Sequence, residues 1–246
     1  MYSICKRYAK DNVYKCDIKD EGEILMIIIM LGAQGTGKGT VAGILSKKTG
    51  WPQVSTGDIF RKSIAEETPL GLEAHKYISE GNLVPDEITI PMVASRLNEE
   101  DAKEGAILDG FPRTVEQAKR LDAMLKEHNR KVDLVVNLTT PRDEIITRIL
   151  NRRVCSNQEC KATYNLTMHP PKVEGICDNC GSKLIQREDD ASAESIQNRL
   201  NIYDKQTSPV VDYYEEQGLV IHQEVSERIN HIGEDVAEEV YDEFIK

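Results

Sequence analysis

A glycine-rich run directly after an apolar segment most constrains what this chain can fold into. The apolar residues are Met26 to Leu31, and the run that follows, residues 32–40, reads GAQGTGKGT. Glycines let successive backbone N–H groups turn toward one anion, a lysine adds positive charge, and a helix beginning there adds its dipole. The pattern predicts a buried strand, a phosphate-binding loop and a helix, in that order.

The run departs from the usual phosphate-loop pattern at one position. Gly39 follows Lys38 where serine or threonine is usual, and the hydroxyl comes one residue later, at Thr40. The alternative is a glycine-rich turn without a ligand. The strand before the run and the helix-like residues 41–45 after it favour a nucleotide-binding loop instead.

Further apolar segments predict the fold class. They lie at 26–31, 51–55, 105–108, 132–138 and 219–222, and helix-like stretches separate them. This alternation is typical of an α/β protein with a five-stranded parallel sheet flanked by helices. The predicted helices are 39–48, 58–66, 70–79, 86–98, 114–127, 142–153, 192–217 and 233–244.

Length and charge limit the function classes. A chain of 246 residues is expected to form one main domain with an insert. Its net charge of -11 argues against nucleic acid as a partner. The longest uncharged apolar run, residues 24–33, is too short to span a bilayer, and the first 25 residues lack a signal core. We therefore expect a cytoplasmic protein with no membrane partner.

Residues 1–25 show no clear pattern and are treated as an N-terminal extension. One hypothesis is that translation starts at Met26, with Glu21-Gly22-Glu23 encoded by a ribosome-binding-like stretch. The alternative is a mobile tail. An intact mass of the native protein that begins at Met1 would contradict the first hypothesis.

Four of the six cysteines lie in one insert, residues 151–190, which is rich in Cys, Pro and Gly. Four residues separate the first pair, two the second, and sixteen lie between the pairs, a pattern that fits a structural tetrahedral Zn²⁺ site. Iron in place of zinc, or four unmetallated thiols, are the alternatives. His169 is favoured as a surface or packing residue. The ligands would be Cys155, Cys160, Cys177 and Cys180.

Four more segments resemble one family. They are STGDIFR at 55–61, GNLVPD at 81–86, LDGFPRT at 108–114 and the arginine-containing stretch 148–153. With the phosphate loop, they closely resemble the adenylate kinase family from Met26 almost to the C-terminus. The resemblance implies a Mg²⁺-dependent enzyme that converts ATP and AMP into two ADP. It also implies a phosphate-loop core over 26–246, an AMP-binding helical flap at 55–84 and a zinc-binding lid at 151–190.

The resemblance carries over to individual residues on both nucleotide sides. It implies ATP contacts at Gly35, Thr36, Gly37, Lys38, Gly39, Thr40, Arg152, Thr163 and Tyr164. It implies AMP contacts at Thr56, Arg61, Leu83, Val84, Pro85, Gly110, Phe111, Pro112, Arg113, Gln117, Arg187 and Arg199. Gln117 would read the adenine edge, and its alternative is an ordinary exposed helix residue.

Phosphoryl transfer between two polyanions requires spread positive charge, and arginines supply it bidentately. The expected catalytic residues are Lys38, Asp109, Arg113, Arg148, Arg152, Arg187 and Arg199. Arg148 and Arg152 are four positions apart and are predicted to share a helix face. Asp109, helped by Asp189 and Asp190, is expected to organise the waters of Mg²⁺.

Several alternatives stay open. The donor could be GTP, or the acceptor another monophosphate, although Gln117 and Thr56 favour AMP. A zinc-ribbon nucleic-acid-binding protein and a non-catalytic nucleotide sensor are alternatives of other classes. The spacing near residues 228–230 is irregular, so the nucleobase contact that the family makes there cannot be assigned to a residue of this chain. We expect a monomer whose partners are ATP, AMP and ADP.

Overall fold

The computed structural model describes residues 26–157, 159–160, 162–190, 192–226 and 232–246, and the backbone of residues 5–8 and 13–16. The two short N-terminal segments, Cys5–Tyr8 (β1) and Val13–Cys16 (β2), pair antiparallel. The other residues before Met26, and residues 228–230, lie outside the described part. The hypotheses about the translation start, the mobile tail and the base contact near residue 228 therefore stay predictions.

Strands and helices alternate after residue 26. The strands are Met26–Leu31 (β3), Gln53–Ser55 (β4), Gly105–Asp109 (β5), Leu134–Thr139 (β6), Arg152–Cys155 (β7), Thr163–Asn165 (β8), Leu184–Ile185 (β9) and Val220–Glu224 (β10). The helices are Lys38–Thr49 (α1), Thr56–Ala65 (α2), Pro69–Ile78 (α3), Asp86–Leu97 (α4), Val115–Glu127 (α5), Arg142–Leu150 (α6), Ala193–Ile202 (α7), Ser208–Glu215 (α8) and Gly233–Val240 (α9).

Five of the strands form one parallel sheet with the order β10-β6-β3-β5-β4. Apolar side chains fill both of its faces: Ile27 and Ile29 pack into one core cluster, whereas Ile28 and Met30 pack into another with Leu45. Burial on both faces explains the continuous apolar run of β3, since a parallel sheet is covered by helices on each side. The predicted α/β fold with a five-stranded parallel sheet is confirmed.

One predicted helix boundary is wrong, with a consequence for the site. Helix α6 ends at Leu150, and Asn151 caps it through its N–H to the Thr147 carbonyl. Arg152 instead opens β7, where it pairs with Asn165 of β8. Arg148 and Arg152 therefore do not share a helix face, because strand pairing in the insert ends the helix.

The single helix predicted over 192–217 is also divided. It consists of α7, a π-helical turn at Tyr203–Thr207, and α8. Pro209 lies in the first turn of α8, where a proline, which has no N–H, is tolerated.

The insert at 151–190 forms its own antiparallel sheet with the order β8-β7-β9. Helices α2 and α3 of the 55–84 segment pack very closely, since a Cβ at Gly71 would lie 2.0 Å from the Ser63 carbonyl oxygen. In the described part of the chain, no helix is long and apolar enough to cross a membrane.

Candidate active site

The phosphate loop connects β3 to α1 as the sequence predicts. Gly32, Gly35 and Gly37 have φ values of 133°, 85° and 95°, a region that side chains rarely adopt. At Gly32 a Cβ would also lie 2.3 Å from the Leu138 carbonyl oxygen. The loop conformation therefore requires glycine at this position, and it directs the start of α1 toward the cleft.

Lys38 is the first residue of α1 and reaches back across the loop. Its Nζ donates to the carbonyl oxygens of Gly32, at 2.7 Å, and Ala33, at 2.8 Å. The surrounding protein lowers the pKa of Lys38 to about 8, mainly by desolvation, and nearby arginines add to this effect while Asp109 opposes it. Two neutral carbonyl oxygens hold the Lys38 ammonium in place, but the charged groups around it do not compensate for its desolvation.

The cleft next to the loop encloses about 520 Å³. Six arginines that are scattered in the sequence line it, as expected from the resemblance: Arg61, Arg113, Arg148, Arg152, Arg187 and Arg199. Gly35, Gly37, Lys38, Gly39, Thr40, Leu83, Asp109, Thr163 and Tyr164 line it as well. A wall with this much positive charge is suited to a polyanionic ligand.

The cations lower one another's affinity for protons. Desolvation, followed by Arg61 and Arg152, lowers the pKa of Arg187 to about 9. Desolvation and then Arg199 lower the pKa of Arg113 to about 10. Among the residues that the structure describes, the buried Nε of Arg187 has no hydrogen-bond partner. An anion in the cleft would relieve the repulsion and give this atom an acceptor.

Two carboxylates neutralise part of the cluster. Arg152 donates to both oxygens of the fully buried Asp190, each at 2.7 Å. Arg199 lies 3.0 Å from Asp190 and 3.0 Å from Asp189. The pKa of Asp189 is lowered because arginines, Arg199 foremost, outweigh its desolvation. Arginines thus occupy the two carboxylates expected to help with Mg²⁺, whereas Asp109 lines the cleft and accepts from Gln53 at 3.1 Å.

A smaller cavity adjoins the cleft. Thr56, Leu83, Val84, Gly110 and Gln117 line it, together with Arg61, Arg113 and Arg199. Thr56 and the Arg113 Nε both donate to the Gly110 carbonyl, at 3.0 and 2.8 Å. Gln117 is buried, which removes its interpretation as an ordinary exposed residue. Its Nε2 donates to Asp86. Asp86 ends the GNLVPD motif, but the sequence analysis predicts no role for it.

Some residues expected to contact the nucleotides pack beneath the site instead of lining it. Phe111 is buried in the main core cluster, and a cis peptide joins it to the buried Pro112. Pro85 is the N-cap residue of α4. Thr36 is buried and donates to the Ala33 carbonyl at 2.8 Å. These residues shape the loops that carry the lining side chains.

The four cysteines of the insert meet at one point. Their sulfurs all lie within 4.8 Å of one another, with Cys155 and Cys180 3.4 Å apart and Cys160 and Cys177 3.6 Å apart. Tetrahedral Zn–S bonds of about 2.3 Å place the sulfurs about 3.8 Å apart. The cluster could therefore hold a metal ion. His169 lies outside it and approaches Glu234, at 3.7 Å.

The insert covers the cleft through contacts with other elements. His169 and Glu234 join it to the start of α9, and both line the cleft. At its base, Glu188 lies 3.2 Å from His75 of α3. Tyr164 lines the cleft, and its hydroxyl lies 3.5 Å from the Cys177 sulfur. The side chain of Tyr164 thus connects the cysteine cluster to the cleft.

A phosphate loop at the end of a parallel strand, facing converging arginines across a covered cleft, defines a kinase that transfers phosphoryl groups between nucleotides. The family model for adenylate kinase matches residues 30–219. The chain belongs to the adenylate kinase family, which confirms the resemblance found in the sequence. Its activity is phosphoryl transfer between ATP and AMP.

Curated relatives agree with the family model. The adenylate kinase of Staphylococcus aureus strain N315 is 47% identical over 211 residues, which are 86% of this chain and 97% of that protein. The adenylate kinase of Staphylococcus epidermidis strain ATCC 12228 is 46% identical over the same shares. Relatives of this similarity do not favour the sensor or the nucleic-acid-binding alternative.

Proposed function

We propose that the cleft binds ATP and AMP on opposite sides of the arginine cluster and makes two ADP reversibly with Mg²⁺. The convergence of six arginines and Lys38 on one covered cleft carries the proposal. A monomer acting in the cytoplasm would balance the adenine nucleotides in this way. Phosphate oxygens are already nucleophiles, so the site needs alignment, charge neutralisation and exclusion of water, and no general base.

On the donor side, the loop from Gly35 to Thr40 would hold the ATP phosphates, with Lys38 on the β- and γ-phosphates. Lys38 already lies inside the loop, fixed by two carbonyl oxygens. Arg148 and Arg152 approach from α6 and β7, and Thr163 and Tyr164 from the insert. Mg²⁺ would neutralise phosphate charge, and Asp109 would hold its waters.

On the acceptor side, the smaller cavity would hold AMP. Arg61 and Arg113 line both cavities, so they are suited to the AMP phosphate, and Gln117 to the base. Arg187 lines the cleft and Arg199 lines both cavities, so they would bridge AMP and the transferred group. The Arg187 Nε that lacks a partner in the described chain supports this assignment.

The cysteines would hold a structural Zn²⁺. Four thiolates fill a tetrahedral shell, so no position is left for water or substrate. The insert has about 40 residues and is too small to sustain a core alone, whereas the metal would stabilise it. We propose that this insert is the lid over ATP.

The first experiment is a substrate panel. ADP formation is measured from ATP with each of AMP, CMP, UMP and GMP, with Mg²⁺ present and then chelated, and again with GTP as donor. We expect turnover that depends on Mg²⁺, is confined to AMP and is fastest with ATP. Preference for another acceptor would contradict the roles of Gln117 and Thr56, and preference for GTP would contradict ATP as the donor.

The lowered pKa of Lys38 predicts a pH effect on ATP binding. Above pH 8 part of the Lys38 population is neutral, and the triphosphate will favour the protonated form. We expect binding at pH 8.5 to take up as much as about 0.7 proton more than binding at pH 7, where Lys38 is already mostly protonated. Calorimetry in buffers of different ionisation enthalpy measures this difference. Equal uptake at both pH values would contradict the lowered pKa.

A further inference from the structure

The side-chain amide of Gln117 lies between two groups of opposite hydrogen-bonding character. Its Oε1 accepts from the backbone N–H of Arg113 at 2.7 Å, and its Nε2 donates to Oδ1 of Asp86 at 2.6 Å. A backbone N–H can only donate, and a carboxylate only accepts. Turning the amide around would place NH₂ against N–H and carbonyl oxygen against carboxylate. The structure thus fixes which end of the amide is the donor.

Each end of the amide keeps capacity for one more partner. Nε2 carries a second hydrogen and Oε1 a second lone pair. Gln117 is almost fully buried and lines the smaller cavity, in which the proposed acceptor base would lie. A base that reaches these two free positions would meet one donor and one acceptor in a fixed order.

The order of donor and acceptor distinguishes purines. Adenine offers N6–H as a donor next to N1 as an acceptor, so it can pair with Oε1 and Nε2 together. Hypoxanthine and guanine offer O6 as an acceptor next to N1–H as a donor, which is the reverse. To pair with them the amide would have to turn around, and both protein contacts would become repulsive.

We propose that Asp86 is a specificity-determining positioning residue, which locks the Gln117 amide so that the acceptor site takes adenine and rejects 6-oxopurine monophosphates. The inference rests on the proposed role of Gln117 at the acceptor base. Asp86 is the first residue of α4, and Thr89 in the same turn donates to the Val84 carbonyl at 3.2 Å. The carboxylate therefore stands on an anchored helix start, beside the cavity.

The test compares AMP with IMP as acceptor, using kcat/KM for each in the same enzyme preparation. Asp86→Asn replaces the carboxylate by an amide that can donate as well as accept. It therefore removes one of the two contacts that oppose turning of the Gln117 amide, and the Arg113 N–H remains as the other. We expect the ratio of AMP to IMP activity to fall by about tenfold or more. The ratio does not depend on how much of a preparation is folded, so lost stability alone leaves it unchanged.

The matched control is Glu87→Gln, which removes the other acidic group in the first turn of α4. We expect it to keep the wild-type ratio. Gln117→Leu completes the set. If Gln117→Leu lowers the ratio and Asp86→Asn does not, the inference about Asp86 is overturned while Gln117 keeps its proposed role. If Gln117→Leu leaves the ratio unchanged, the acceptor-base role fails and the inference fails with it.

Discussion

Replacing Lys38 by methionine is expected to lower kcat/KM for ATP by about 10²- to 10³-fold or more, because the enzyme loses the fixed positive charge that we propose lies beside the transferred phosphate. Methionine has nearly the length of the lysine chain but neither its charge nor its hydrogen bonds to Gly32 and Ala33. We expect the fold to persist, since the glycines and the buried strand β3 set the loop. Steady-state assays of ADP formation and a circular dichroism melt measure both effects.

Lys47→Met provides the control. Lys47 lies on the same helix, is exposed, and stands away from the cleft. The substitution removes the same charge, so a general effect of net charge on ATP affinity would appear there too. Near-normal turnover in Lys38→Met, or an equal loss in both variants, would contradict the role of the loop lysine.

Replacing Cys177 by serine is expected to lower the zinc-to-protein ratio from about one to about zero, since one of four thiolates is lost. We expect Tm to fall by about 5 to 10 °C, because each kcal/mol shifts Tm by about 2 to 4 °C in a domain of this size. Activity at low temperature should change less, because Tyr164, and not Cys177 itself, lines the cleft, and the Cys177 sulfur contacts the Tyr164 hydroxyl. Metal analysis, a thermal melt and assays at low temperature measure these effects.

Cys16→Ser is the matched control, since it removes a cysteine of the N-terminal extension instead of one of the four in the insert, and it should keep both the metal content and Tm. A chelator should lower the Tm of the unmodified protein toward that of Cys177→Ser and have little effect on the variant. An unchanged metal ratio in Cys177→Ser would show that the cluster is not the metal site. A cluster that binds iron would appear in the same metal analysis.

The features that could be predicted from the sequence are those that depend on residues close together in the chain. The phosphate loop follows from glycines at Gly32, Gly35 and Gly37 beside a buried strand, and the sheet follows from apolar runs that both faces require. The cysteine cluster follows from two close pairs. In each case a short segment carries the physical requirement by itself.

Features that depend on pairing between distant segments could not be predicted in this way. The sequence predicts a helix from Arg142 to Arg153 because no residue in that segment stops it, whereas strand pairing of Arg152 with Asn165 ends the helix at Leu150. The contact between Gln117 and Asp86 joins helices α5 and α4, and the two residues are 31 positions apart in the sequence. Asp190 reads as an acidic residue available to a metal, yet it is enclosed by Arg152 and Arg199.

The pairing of Arg152 with Asp190 has a mechanical consequence. Arg152 stands where the chain enters the insert, and Asp190 where it leaves. Their two hydrogen bonds clamp both connections side by side, and breaking such a buried pair would cost about 3 to 5 kcal/mol. A rotation of the insert that kept these bonds would therefore move both connections together. Such a rotation would displace the far end of the insert more than its base.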